Sequence, residues 1–418
     1  MQYTLSSCAA LSDAGAPAQS VTDKPVTAAA LLGADYPGLR PALAVAVGDR
    51  VKVGQVLFND RAQPRIAFVA PISGQITSIE HGPRRSLSAL VIHRDADDPD
   101  IAGVGKPVDD SNPESLREAL LSRGLWPAFR TRPFGRIPAP DAVPRAIFVT
   151  AIDTEPQAPD PRVVLASQDG VFRRGVALLT LLTEGTVHVC QSPGPPLAEE
   201  TGRVRITSFA GLHPAGLAGS HIHALHPVGP GTGEVWSIDC QDVAAIGYLA
   251  MTGAYAPSRI VSLAGPHARP PMLVRTAMGA SIRDLAARMG DGGVPARVLS
   301  GSVLSGRDAA WLGRYHRQVA VVDAVAQPER RGWRVIFGSG QGPRPIIPTR
   351  ALETALPSGF LAVPLMRALA VGDVEAAARL GALELIDEDT ALLSALCTSG
   401  SDYGALLRRV LDTLAEDA

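Results

Sequence analysis

Short apolar runs separated by glycines and other turn residues fill the chain from Pro41 to His93. The runs are shorter than ordinary helices and rich in β-branched residues, which is typical of strands. They occupy residues 42–47, 51–58, 66–69, 76–79 and 87–93. The pattern predicts a compact all-β module, with turns at its Gly-x-x-Gly punctuation.

A helical pattern begins after Asn112, which can cap the first turn, with Pro113 in the position that proline favours. Apolar side chains at helical spacing form its buried stripe: Leu116, Leu120 and Leu121. Gly124 is expected to end this helix.

Strands and helices alternate downstream. Residues 146–150 are predicted as a buried strand, 172–182 as a helix and 186–190 as another strand. Asp239 is expected to cap a further helix that ends at Gly253. This order predicts a Rossmann-like layer that extends to about residue 255.

The last third of the chain divides into two patterns. A smaller α+β unit is predicted from strands at 259–263 and 272–275, a helix from Ser281 and a strand at 297–304. After about residue 345 the pattern is helical. Its expected helix caps are Asp373, Asp387 and Asp402. Residues 1–30, by contrast, show few periodic signals and are expected to be irregular.

Charge and hydropathy exclude several classes of function. With 39 basic and 41 acidic residues, the net charge of −2 argues against a surface for nucleic acid or acidic lipid. No apolar stretch approaches the roughly 20 residues of a membrane helix, which favours a soluble or peripheral protein. A lipoprotein-like box ends at Cys8, but no cationic or apolar segment precedes it, so no lipid anchor is expected.

The cysteines argue against metal clusters and for a reducing compartment. Cys8, Cys190, Cys240 and Cys397 lie far apart, without any Cys-x-x-Cys motif. This spacing suits neither a zinc ribbon nor a ferredoxin-type iron–sulfur run.

Three segments resemble ligand sites but lack a needed group. The β module is similar to a biotinyl or lipoyl carrier, yet the hairpin at 59–64 has no lysine to acylate. The turn at 151–156 follows a Rossmann-like strand without glycine and carries Asp153 and Glu155, so we expect no nucleotide there. The glycine-rich segments 301–306 and 338–342 are expected to be tight turns rather than phosphate loops.

The densest polar chemistry lies at residues 213–226. His221 and His223 would share one face of a strand, and His213 or His226 would complete a metal site. The alternative is that these histidines satisfy loop backbone groups or face a partner. We predict no metal and treat His213, His221 and His223 as candidate partner contacts.

A set of short motifs follows a fixed order along the chain. They are Leu39-Arg40-Pro41, Gly48–Leu57, Ala70–Gly74, Arg84-Arg85, Phe148–Thr154, His213–Leu217, His221–His223, Met251–Gly253, Ser300–Gly306, Leu312–His316 and Tyr403–Arg408. Together they resemble the NqrA family, the A-type subunit of the sodium-translocating NADH:quinone reductase, over nearly the whole chain from about Ala28.

The resemblance implies a multidomain α/β and α+β fold that is similar to the flavin subunit of respiratory complex I. The implied units are an N-terminal extension at 1–34, a barrel-sandwich (biotinyl/lipoyl-like) domain at 35–100, a helix and linker at 101–144, a Rossmann-like domain at 145–255, a β-grasp (soluble-ligand-binding-like) domain at 256–335 and a C-terminal helical domain at 336–418.

The same resemblance implies a function and its partners. The chain would be a peripheral subunit on the cytoplasmic face of the inner membrane, in a complex that couples NADH oxidation and ubiquinone reduction to Na⁺ export. It would sit on the quinone-reactive, B-type membrane subunit, while flavins and iron–sulfur centres belong to other subunits. No catalytic residue, cofactor or nucleic-acid partner is expected on this chain, which would either contribute to binding ubiquinone or shape the quinone site on the B-type subunit.

Two loops, at residues 35–40 and 129–136, combine aromatic surface with arginine donors, which suits a quinone ring. Their candidate residues are Tyr36, Leu39, Arg40, Phe129, Arg132, Phe134 and Arg136. Packing on the membrane partner is the alternative role of both loops.

Two further alternatives for the whole chain are a cofactor-free scaffold or assembly protein and a related electron-transport subunit with iron–sulfur clusters. The few cysteines argue against the latter.

Overall fold

The computed structural model describes residues 2–5, 20–95, 106–109, 111–268, 270–287, 289, 296–323 and 344–417. Within them the strands are β1 Gln2–Leu5, β2 Val21–Asp23, β3 Ala28–Leu32, β4 Pro41–Leu43, β5 Arg50–Val51, β6 Val56–Asp60, β7 Ala67–Val69, β8 Gly74–His81, β9 Leu87–Arg94, β10 Arg130–Arg132, β11 Ala146–Ala151, β12 Thr186–Gln191, β13 Val204–Gly211, β14 Val235–Asp239, β15 Ser258–Ala264, β16 Met272–Ala277, β17 Ala296–Ser300, β18 Arg307–Asp308 and β19 Gln318–Asp323.

The α-helices of the same residues are α1 Pro113–Ser122, α2 Pro161–Leu165, α3 Asp169–Leu179, α4 Ala218–Leu225, α5 Cys240–Thr252, α6 Ile282–Ala286, α7 Arg350–Glu353, α8 Ala362–Val371, α9 Val374–Arg379, α10 Ala391–Leu396 and α11 Tyr403–Glu416. Short 3-10 turns occupy Gly33–Asp35, Pro83–Arg85, Trp126–Ala128, Ala382–Glu384 and Asp387–Thr390.

A six-stranded sheet forms the centre of the molecule, in the order β1-β13-β12-β11-β14-β10. Its strands run parallel except for β10, which pairs antiparallel with β14. Strand β11 is buried along its whole length, as expected for a parallel strand covered on both faces. The predicted strand–helix–strand order is therefore confirmed.

Helices α3 and α5 cover one face of this sheet and approach each other through glycines. A Cβ atom on Gly247 would lie 1.8 Å from the Val171 carbonyl oxygen, and one on Gly175 would lie 2.0 Å from that of Val243. The predicted limits of α5 are confirmed. The Asp239 carboxylate accepts the Gln241 N–H at 2.9 Å, and Gly253 ends the helix in the left-handed region at φ 69°.

Three aromatic side chains join the linker to the sheet. The ring of Trp126 lies 5.5 Å from that of Phe129 and 5.4 Å from that of Trp236. All three side chains are fully buried. Such aromatic pairs stabilise a core by about 0.5–1.5 kcal/mol each beyond the burial of their area.

The N-terminal all-β module consists of two small sheets, β3-β9-β8-β5 and β4-β6-β7, as the glycine-punctuated runs predict. Strands β6 and β7 form the hairpin that lacks a lysine, and the Asn59 amide donates to the Pro64 carbonyl across it at 3.0 Å. A second six-stranded sheet, β18-β17-β19-β15-β16-β2, forms the unit after residue 255.

The C-terminal helices pack on the face of the central sheet opposite α3 and α5. Asp373 caps α9 and Asp402 caps α11, as expected. Asp387 does not cap a helix. It is the first residue of a 3-10 turn, in which Asp389 instead accepts the Ile386 N–H at 2.8 Å.

Strands occur where the sequence predicts an irregular N-terminal segment. Strand β1 pairs with β13, β2 with β16 and β3 with β9, so three different sheets receive a strand from residues 2–32. Each pairing joins strands that are distant in sequence, and the short strands themselves show little alternation of apolar and polar residues, so the sequence did not predict them. Cys8 and the glycine-rich segment 338–342 lie outside the described residues.

Candidate functional site: a filled crevice beside an open cleft

The central sheet has a topological switch point between β11 and β14. From β11 the chain proceeds through β12 to β13 on one side, and then returns through α4 to β14 on the other. Ligands of open α/β sheets bind outside the carboxyl ends of the strands at such a point. Here a cavity of only about 50 Å³ remains, beside Thr150 and Asp239.

Arg317 fills this crevice from the segment that precedes β19. Its Nη1 donates to Asp239 Oδ2 at 2.6 Å, and its Nε lies 3.1 Å from Asp153 Oδ2. Burial raises the pKa of Asp153 to about 6, although Arg317 lowers it. The crevice therefore contains a guanidinium of the chain itself where a Rossmann fold would hold phosphate.

A second ion cluster continues from the first. Asp242, in the first turn of α5, accepts from Arg259 Nη2 at 2.7 Å and from Arg314 Nη2 at 2.9 Å. Burial alone would raise the pKa of Asp242, but the two guanidinium groups outweigh it and the pKa lies below its ordinary value. Both arginines come from the unit after residue 255, so the cluster joins that unit to α5.

The histidines lie on a helix and its preceding loop, not on a strand as predicted. Nδ1 of His213 lies 3.4 Å from the Thr154 hydroxyl, and Nε2 of His221 lies 2.9 Å from the Ala215 carbonyl oxygen. Among the described residues there is no group of three or more His, Cys, Asp or Glu that could hold a metal ion. Partner contacts of these histidines stay a prediction, and His221 has no exposed surface to make one.

His223 joins α4 to the C-terminal helices. Its Nδ1 lies 2.7 Å from Glu384 Oε2 and its Nε2 lies 3.1 Å from the Ser358 carbonyl oxygen. Both ring nitrogens face acceptors, so the imidazolium form satisfies both. The hydrogen bond to Glu384 raises the pKa of His223 above its ordinary value.

An open cleft of about 820 Å³ lies beside the filled crevice. Its walls come from the loop at 34–37, the loop at 304–307, Tyr315, His316 and the C-terminal helices. The Arg130 guanidinium stacks over the Tyr315 ring, 4.6 Å from its centroid, and pairs with Glu388 at 3.0 Å.

The two loops expected near quinone meet each other. A Cβ on Gly38 would lie 3.5 Å from Nε of Arg136. Arg40 is exposed, and Leu39, Phe134 and Arg136 are half-buried. These four side chains retain surface that a ligand can reach.

The other three candidates are enclosed by the chain itself. Arg132 is fully buried, with Nη2 3.3 Å from Asp389 Oδ2 and Nε donating to the Glu384 carbonyl oxygen at 3.0 Å. Phe129 is fully buried against Trp126, and Tyr36 packs edge-on against Phe68 at 4.9 Å. Arg132 is thus an internal ion-pair partner, and the two rings are core residues.

Sequence reasoning assigned no part in a site to the residues that form the crevice and the cleft wall, although it did predict Asp239 as a helix cap. They are Asp239, Asp242, Arg259, Ser300, Arg314, His316 and Arg317. The signal available was the motif Leu312–His316, to which no function was assigned and which ends one residue before Arg317.

Comparison with known proteins assigns three parts of the chain to family models. Residues 9–95 match the NqrA N-terminal barrel-sandwich hybrid domain, 111–255 the NqrA second alpha/beta domain and 260–310 the NQRA C-terminal domain. The A-type subunit of the Na(+)-translocating NADH-quinone reductase from Yersinia pestis bv. Antiqua (strain Angola) is 40% identical, over 97% of each chain. The chain belongs to the NqrA family.

The corresponding protein from Pseudomonas aeruginosa (strain UCBPP-PA14) is 41% identical over 96% of this chain and 97% of its own. Family membership confirms the barrel-sandwich assignment of the N-terminal domain and identifies residues 260–310 as the C-terminal domain of the family, whereas the β-grasp topology of that unit stays a prediction. No helix among the described residues of this family member is long and apolar enough to cross a membrane.

A solved structure, a NAD⁺-reducing [NiFe]-hydrogenase in the H₂-reduced state, aligns with a TM-score of 0.40 and 12% identity, over 73% of this chain and 62% of its own. That likeness is too weak to support an argument. The relation to the flavin subunit of complex I therefore stays a prediction.

Proposed function

We propose that this chain is the peripheral NqrA subunit of a Na⁺-translocating NADH:ubiquinone reductase, on the cytoplasmic face of the inner membrane. The observation that carries the proposal is 40% identity over 97% of both chains to a named member of that family. The complex would couple NADH oxidation and quinone reduction to Na⁺ export, with the B-type membrane subunit as the direct partner.

The filled crevice supports the proposal that the cofactors of that complex bind to subunits other than this chain. Arg317, Asp153 and Asp239 occupy the place where a Rossmann-like sheet would bind a dinucleotide. NADH and flavin would accordingly bind to other subunits, and this chain would contribute shape and contacts rather than a redox centre.

We further propose that the loops at 35–40 and 129–136 lie near the quinone. The close approach of Gly38 and Arg136 supports this, because it creates one surface from two loops. Leu39, Arg40, Phe134 and Arg136 would supply that surface, with apolar contact for the ring and guanidinium donors for its carbonyl oxygens.

The test is to affinity-purify the tagged chain from its own membranes in mild detergent, identify the subunits that co-purify and assay NADH:quinone activity with and without Na⁺. Membranes from an untagged strain are the control. Recovery of membrane subunits with Na⁺-stimulated activity is expected. A colourless chain recovered alone would indicate a cofactor-free scaffold, and a brown chain with bound iron would indicate the iron–sulfur alternative.

Photo-crosslinking with an azido-quinone tests the loops within the purified complex. Label on peptides that contain residues 35–40 or 129–136 is expected. Label recovered only on the B-type membrane subunit would overturn the quinone role of this chain and leave its place in the complex intact.

A further inference from the structure

A serine and a histidine from two of the motifs meet in the wall of the open cleft. The Ser300 hydroxyl lies 2.7 Å from Nδ1 of His316 and accepts the Gly313 N–H at 2.8 Å. Ser300 is fully buried, whereas His316 lines the cleft. The pair therefore connects the core of the β-grasp-type unit to an open surface.

These contacts favour one ring nitrogen of His316 as the site of its proton. A serine hydroxyl has one hydrogen to donate, and a buried donor needs an acceptor. With Nδ1 of His316 as the acceptor of this hydrogen, the proton of the neutral imidazole would reside on Nε2. Burial lowers the pKa of His316 to about 4, so the ring is neutral at pH 7.

Two glycines hold the ring in place. A Cβ on Gly313 would lie 2.7 Å from Nδ1 of His316, and a Cβ on Gly301 would lie 3.5 Å from its Cε1. Gly301 also has a φ of 102°, which other residues rarely adopt. The imidazole thus packs directly against backbone, and its orientation cannot vary freely.

Nε2 of His316 has no hydrogen-bond partner within the described part of the chain, and it is not sealed from solvent. The arginines of the same cleft are paired with carboxylates: Arg130 with Glu388, Arg408 with Asp387 and Arg307 with Asp35. The cleft therefore presents a neutral N–H donor among compensated charges, which suits a neutral carbonyl oxygen better than an anion.

We propose that Nε2 of His316 donates a hydrogen bond to a carbonyl oxygen of the quinone head group, and that Ser300 is the positioning residue that keeps the proton on Nε2. This inference rests on the proposed function. The loop at 34–37, which overlaps the first of the two loops expected near quinone, also lines this cleft.

The first arm of the test reads the tautomer without activity. The full-length chain is labelled with ¹⁵N-histidine, and the His316 ring signals are assigned by their loss in His316→Gln. A protonated Nε2 and an unprotonated Nδ1 are expected, and Ser300→Ala is expected to yield a mixture of tautomers. A wild-type ring protonated on Nδ1 would overturn the positioning role.

The second arm measures quinone kinetics in the purified complex with water-soluble ubiquinone-1. His316→Gln is expected to raise KM for quinone about threefold to tenfold with little change in kcat, as for the loss of one ground-state hydrogen bond. Ser300→Ala is expected to raise it less. His93→Gln, on the exposed face of β9, is the matched control and should change neither constant.

The outcomes separate this inference from the proposed function. If His316→Gln leaves KM unchanged while Arg40→Ala or Arg136→Ala raises it, the donor role of His316 is wrong and the quinone role of the loops stands. If the loop variants also have no effect and azido-quinone labels only the B-type membrane subunit, the quinone role of the whole chain is wrong. Equal recovery of all subunits in each variant complex shows that assembly is intact.

Discussion

The carboxylate of Asp239 caps a helix and at the same time holds Arg317 in the crevice of the central sheet. Its Oδ1 accepts the Gln241 N–H at 2.9 Å, and its Oδ2 accepts from Arg317 Nη1 at 2.6 Å. The same arginine reaches Asp153, which follows the end of β11. A local helix signal and a long-range ion pair thus meet in one side chain, at the switch point of the sheet.

Removal of Arg317 is expected to be strongly destabilising. Arg317→Ala would leave Asp153 and Asp239 without their shared cation, and breaking a buried pair in this way costs about 3–5 kcal/mol. Arg317→Lys retains the charge but not the two-armed geometry, so an intermediate loss is expected. Urea unfolding of the full chain measures both.

Arg203→Ala is the matched control for that prediction. Its ion pair with Glu184, at 3.0 Å, is exposed, and such pairs contribute less than about 1 kcal/mol. Equal losses for the Arg203 and Arg317 variants would contradict a structural role of the crevice ion pairs.

Replacement of His188 is expected to stabilise the chain. The ring stacks on Phe148 at 5.1 Å, and both of its nitrogens are buried without a hydrogen-bond partner among the described residues. His188→Leu removes this unsatisfied pair at similar volume and is expected to raise the free energy of unfolding by about 1 kcal/mol. Destabilisation would show that another group satisfies the ring.

The same histidine contributes to acid sensitivity. Burial lowers the pKa of His188 from 6.5 to about 4, so in this window the unfolded chain binds a proton that the native chain does not. Stability therefore falls as the pH falls from 6.5 towards 4. His188→Leu should reduce this slope, measured by unfolding at a series of pH values.

The His223–Glu384 contact is expected to have the opposite pH dependence. Its hydrogen bond raises the pKa of His223, so its stabilisation is complete below the unfolded pKa of 6.5 and is lost as the pH rises through the native value. The partly exposed pair should contribute no more than about 1 kcal/mol. Unfolding of Glu384→Gln from pH 6 to 9 should lack this step; an unchanged step would assign it to another group.

Adding a single methyl group between α3 and α5 is expected to destabilise the chain. Gly247→Ala would place a Cβ 1.8 Å from the Val171 carbonyl oxygen, and overpacking of this kind costs about 1–3 kcal/mol. Gly170→Ala, in the first turn of α3, is the control: no described atom lies within 4 Å of a Cβ at this position, and the substitution should stabilise the helix by about 0.5–1 kcal/mol. Comparable thermal unfolding of the two variants would contradict the close helix contact.

Local signals predicted the elements whose ends are defined by their own residues. Asn112 caps α1 through the Glu114 N–H at 3.0 Å, and Asp239 and Gly253 limit α5, as the sequence indicated. The buried strand β11 followed from its uninterrupted apolar run. Strands β1 and β2 were not predicted. They contain only four and three residues, which is too short for an alternation of apolar and polar positions to be recognised, and their partner strands are distant in sequence.

The candidate site was less accessible to sequence reasoning. Aromatic and arginine content marked the loop at 129–136, but it could not show that Arg132 is fully buried beside Asp389 while Arg136 reaches Gly38. The two-residue spacing of His221 and His223 suggested a strand, whereas the segment forms the helix α4. When a short segment fits both the helix and the strand pattern, tertiary packing determines which of the two it forms.

The helix caps, the strand and helix periods and the motifs that mark the family can all be read from the amino-acid order alone, because each depends on residues close together in the chain. Which charges meet depends on the fold. Asp239 and Arg317 are separated by 78 positions, and Ser300 and His316 by 16. Such pairs form because burial leaves a charge or hydroxyl no water to bind, and the packing of distant segments determines which partner lies within reach.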